Sequence, residues 1–185
     1  MEFLAEFHPK VVHFPIALLS VYVLVEIISA ITKNKFFSYL AYSLLVLGVV
    51  GAIAAVLTGE QAGVKASIWD EIGTKNDAII PFGLISEHEE YATITVWFFF
   101  ALLVLRTLFV IQFMIRKNYE KFLTLARYCF ALLAIIGSYY IYQTAEHGGK
   151  LVYKYGVGTE LIKPENIDSL SNEKSIPQQD ENIAE

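Results

Sequence analysis

Only one of the 185 residues is a cysteine, Cys129, and no CxxCH occurs anywhere in the chain. An internal disulfide, a covalently attached haem and a cysteine zinc site are therefore excluded, and Cys129 itself is expected in the core. Charge is scarce as well. Acidic and basic side chains make up 18 % of the chain against 55 % hydrophobic residues, with a mean hydropathy of +0.48. That balance lies outside the range of soluble domains. The amino terminus, MEFLAEF, has no basic residue, and no small-residue cleavage pattern closes the first apolar run. The run is thus expected to stay in place and not to leave as a signal peptide. A net charge of −5 gives nucleic acid no foothold as a partner.

What the chain does contain is four apolar runs, at about 11–32, 38–58, 90–114 and 124–144. Each is close to the ~20 residues that a helix needs to cross about 30 Å of hydrocarbon. With no water there to satisfy bare peptide groups, each run must form its hydrogen bonds internally. The expected fold is all-α, an antiparallel four-helix transmembrane bundle over residues 1–163, with the lipid bilayer as its first partner. Between the second and third runs, VKASIWDEIG spaces Val64, Ile68, Trp69 and Ile72 at near-helical intervals. It predicts a short interfacial helix, either an anchor or a lid. Residues 164–185 hold six acids, one lysine and two prolines. They predict a flexible acidic tail that serves as solvation or attracts a basic electron carrier or a neighbouring subunit.

Basic residues set the orientation. Lys33 and Lys35 lie in the first short connection, and Arg116, Lys117, Lys121 and Arg127 lie in or beside the third, whereas the second connection is long and mostly acidic. The positive-inside rule then puts both short loops in the cytoplasm and both termini outside. All four histidines, His8, His13, His88 and His147, fall at the outer ends of the runs.

Single interfacial histidines often act only as amphipathic anchors. Neutral imidazole also ligates iron, copper or zinc, and in a bundle it can hold haem iron from facing helices. His8 and His13 are five apart, about 140° around one continuous helix, so they point to different partners, His13 inward and His8 to the rim. Pro15 would strip the hydrogen bond from the carbonyl of Val11 and kink that entry. His13 with His88 is the first expected ligand pair, and His8 with His147 the second. Ser86 reads as the cap of the third helix, and Gly148 with Gly149 as the end of the fourth or as room for a flat ligand. Glu60 could orient a ligating histidine, or simply be solvated. Deeper in the apolar runs, Glu26 and Arg106 lie at similar depths and are expected to pair, ahead of a proton or quinone path.

Together the segments HPKVVHFPIALL, LTGEQAG, HEEYA and HGGKLVYKYGVG resemble a bacterial family of predicted membrane proteins, domain of unknown function 2231, over about residues 8–158. The resemblance implies a four-helix bacterial membrane module. Members of similar architecture are joined to cytochrome c domains, which implies haem and electron transfer on the outer side. An acidic tail stands here in place of such a domain, so any such cytochrome is expected as a separate partner. The leading expectation is a protein of the bacterial inner membrane that binds one or two b-type haems through His8, His13, His88 and His147. It would exchange electrons with quinol, a periplasmic c-type cytochrome or other subunits of a respiratory complex. The alternatives are a histidine-based metal transporter or sensor without haem, and a non-catalytic membrane subunit.

Overall fold

Two residues, Lys33 and Asn34, separate α2 (His13–Thr32) from α3 (Lys35–Gly73) in the computed structural model of the protein, which describes residues 2–73, 82–115 and 120–157. Lys33 adopts the left-handed conformation, φ 55°, and its N–H bonds the Ser29 carbonyl at 3.0 Å, closing α2. The Asn34 side chain then accepts from the Phe36 N–H at 2.9 Å and caps α3. So short a link forces the two helices to lie side by side and antiparallel. Before them comes α1 (Glu2–Val11), and after them α4 (Phe82–Ile115) and α5 (Glu120–Tyr153).

Four stretches are long and apolar enough to cross a membrane: Phe7–Thr32, Lys35–Glu60, Gly83–Gln112 and Phe122–Tyr153. The first runs through the junction of α1 and α2 at Val12. Pro15 has no N–H for the Val11 carbonyl, so one backbone bond is missing there, while Val12 keeps helical dihedrals and the bonds from Val12 to His8 and from Ile16 to Val12 carry the span through. Along each neighbouring pair, residue numbers rise on one helix as they fall on the other. Leu19 meets Gly48 while Phe14 meets Gly51, and Phe99 meets Gly137 while His88 meets Gly148. The bundle is therefore antiparallel throughout. Each of α2 and α4 packs on both α3 and α5, so α2 and α4 stand diagonally opposed.

Side chains sort by face, as lipid requires. Leu19, Tyr22, Leu45, Phe99 and Leu102 are buried between the helices, with the Tyr22 and Phe99 rings edge to face at 6.1 Å. Leu24, Ile31, Val50, Leu57 and Leu132 point outward. Cys129 is exposed as well, not in the core as composition suggested, because its place on α5 faces away from the other helices.

Three expected boundaries move. The segment from Val64 to Gly73 is helical, but it continues α3 without a break, since the sequence there has no proline and isolated glycines cost a helix only about 1 kcal/mol each. Helix α4 starts at Phe82, so Ser86 lies within it and caps nothing. Helix α5 runs through Gly148 and Gly149 to Tyr153, and the left-handed glycine beyond its end is Gly156, φ 67°. The acidic tail at 164–185 lies outside the described residues.

Candidate functional site

Towards the end of the bundle where α2 connects to α3, the two charges expected to pair do so. Arg106 on α4 donates through Nη1 to Glu26 on α2, and both side chains are almost fully buried. Its Nη2 donates to the carbonyl and the hydroxyl of Ser38 on α3, at 3.3 and 3.1 Å. The Phe130 ring on α5 lies 5.1 Å from the guanidinium carbon. Arg106 thus ties all four spans at one level, an arrangement that suits a structural ion pair.

The opposite end carries the histidines. His8 is half-buried against α3, where its Nδ1 lies 3.1 Å from the Ala55 carbonyl and 3.2 Å from the Thr58 hydroxyl. Thr58 donates its own proton to the carbonyls of Ala54 and Ala55, so its oxygen is left to accept. His88 is half-buried against α5, its Nδ1 3.1 Å from the Thr144 carbonyl. Glycines make both approaches possible. A Cβ on Gly59 would sit 2.9 Å from Cε1 of His8, and one on Gly148 would sit 3.0 Å from Cε1 of His88. Gly148 therefore admits a histidine, Gly149 faces open space, and neither ends the helix.

The other two imidazoles bond their own helices. His13 Nδ1 lies 2.6 Å from the Pro9 carbonyl and His147 Nδ1 2.7 Å from that of Gln143. His13 is exposed. The expected facing is thus reversed, with His8 turned inward and His13 outward: Val12 is itself helical and bonded on both sides, so the two rings still diverge, and the packing of the span against α3 makes His8 the one that faces in. Pairing His13 with His88 in one interior site does not follow from this arrangement. His147 is nearly buried, stacks on Tyr91 at 5.0 Å, and places Nε2 3.5 Å from the Glu87 carboxylate, so both of its nitrogens face acceptors. Glu60 is exposed, and among the described residues it bonds no histidine. Backbone carbonyls do the orienting that Glu60 was expected to do.

One feature unites the four rings. A carbonyl can only accept, so in the neutral imidazole Nδ1 carries the hydrogen and Nε2 keeps the lone pair. This is the tautomer that metal-ligating histidines adopt when a carbonyl holds the other nitrogen. His88 lies within electrostatic reach of both His8 and His147. Sequence reasoning missed the partners Ala55, Thr58, Gly59 and Thr144; the signal available was a small residue on the neighbouring span at the depth of each histidine.

A family model described as a predicted membrane protein (DUF2231) matches residues 5–161 of the chain. No curated protein and no solved structure matches it.

Proposed function

We propose, from the premise that the chain belongs to the DUF2231 family of predicted membrane proteins, that it binds non-covalent haem b at its histidine end and exchanges electrons there. The observation that carries this reading is the Nδ1-to-carbonyl bonding of His8, His13 and His88, which leaves Nε2 as the ligating atom. The donor set suits haem better than a bare ion. A structural zinc ion asks for four protein ligands and a catalytic one for three, and among the described residues no group of three or more His, Cys, Asp or Glu is placed to hold a metal. Haem brings four nitrogens of its own and asks for one or two. When bound, the iron would supply one-electron chemistry, and the chain's part would be to hold imidazoles at fixed angles and to shield them among helices.

By the positive-inside rule this end faces outward, in the periplasm of a bacterial inner membrane. The partners such a site would serve are quinol on the donor side and a c-type cytochrome on the acceptor side. Purification from haem-replete cells followed by a pyridine haemochrome assay tests the reading. Soret and alpha bands with stoichiometric haem b are expected, and a colourless protein would sink it.

A further inference from the structure

The two membrane hairpins repeat a set of contacts at matching intervals. His8 is held by the carbonyl of Ala55 and rests on Gly59, four residues later; His88 is held by the carbonyl of Thr144 and rests on Gly148, also four residues later. Eleven residues after each histidine comes the side chain that fills the next glycine. Leu19 lies on Gly48 and Phe99 on Gly137, and each of these glycines stands eleven residues before the one under its histidine. Eighteen residues after each histidine comes the intramembrane charge, Glu26 in one hairpin and Arg106 in the other. Arg106 bonds Ser38, ten residues before Gly48. Glu26 lies in the field of Arg127, ten residues before Gly137.

Burial follows the same register. The buried residues of α4, Thr95, Phe99, Leu102 and Arg106, stand eighty places beyond Pro15, Leu19, Tyr22 and Glu26, all buried in α2. Helical periodicity would bring apolar positions back to one face, but it would not bring back a histidine, its glycine, its carbonyl and a charge at matching intervals in both hairpins. Diagonal placement of α2 against α4 is what a twofold axis along the bundle requires, and repeats of two spans each must be related by an axis along the membrane normal.

We infer that the chain is two copies of one two-span hairpin about a pseudo-twofold axis, and that His8 and His88, the only histidines at equivalent positions, are the two ligands of a single axial site. The counterpart of His13 is Thr93 and that of His147 is Thr58, so neither has a symmetry mate. The site takes one metal centre that accepts two imidazoles, which on the reading proposed above is the iron of one haem. The assignment rests on that reading for the ligand's identity, but not for the pair of residues.

The test is a series on the full chain, His8→Gly, His88→Gly, His13→Ala and His147→Ala, read by absorption and electron paramagnetic resonance. His8→Gly and His88→Gly should each turn a low-spin spectrum high-spin to the same extent. Added imidazole should restore the low-spin form in both, which a merely unfolded variant would not allow. His13→Ala and His147→Ala should leave the spectrum as it was. Loss of the low-spin form in either of these two, or its persistence in both of the first, overturns the axial pair. If the unaltered protein is colourless, the haem reading fails and Cu²⁺ becomes the probe. Coupling of copper to two imidazole nitrogens, reduced to one by either His8→Gly or His88→Gly, supports the axial site, and coupling indifferent to both overturns it.

Discussion

Glu26 and Arg106 occupy a depth where neither charge is tolerable alone. Removing one partner of a buried pair strands the other and typically costs about 3 to 5 kcal/mol. Glu26→Gln should therefore destabilise the protein by that order, measured as detergent-resistant unfolding against Ile31→Val on the outward face. A loss no larger than the control's would mean that the guanidinium is satisfied by Ser38 and Phe130 alone. Exchanging the two residues should recover only part of the loss, because an arginine at position 26 would meet the field of Arg127 while a glutamate at position 106 would meet the Ser38 carbonyl. The pair was legible in the sequence, since two isolated charges at like depth in apolar runs have few other partners. The inward histidine was not, because spacing fixes the angle between His8 and His13 but not which face of the span packs against α3.

Among elements, the closest contacts run through glycine. A Cβ on Gly137 would lie 2.6 Å from Cζ of Phe99 and 2.9 Å from the Phe98 ring, and one on Gly48 would lie 2.5 Å from Cδ2 of Leu19. Rigid rings cannot yield as a leucine methyl can. Gly137→Ala should therefore cost about 1 to 3 kcal/mol, the usual toll of overpacking, and more than Gly48→Ala. Gly83→Ala, with open space around it, should be neutral or slightly stabilising through helix propensity. Thermal unfolding in one detergent would rank the three, and equal stability of Gly137→Ala and Gly83→Ala would refute the packing argument. The four spans were plain from their apolar lengths, because lipid imposes length directly. Their ends were not. Ser86 has the chemistry of a cap and Gly148 that of a terminator, yet a helix inside a bundle continues as long as its neighbours support it.

For the whole molecule, basic residues beside the short connections predict that the histidine end faces out. Single cysteines at Asn34 and Lys154, each in a Cys129→Ser background, would report this with a membrane-impermeant thiol reagent on intact cells or spheroplasts. Labelling at position 154 and protection at position 34 are expected; the reverse would bring the histidine end into the cytoplasm and remove the outer electron partner.

The ion pair has a further consequence once the two hairpins are seen as copies. Two identical halves that met about a true twofold axis would bring glutamate against glutamate, or arginine against arginine, at the level where Glu26 now meets Arg106. Two arginines there would repel and two glutamates would first have to take up a proton, so a half closes best on its opposite. A chain still emerging into the membrane, surrounded by other copies of itself, thus has an internal means of telling its own second half from another molecule's first. Divergence at a single pair of equivalent positions converts a shape able to dimerise with itself into one that completes only as a heterologous whole.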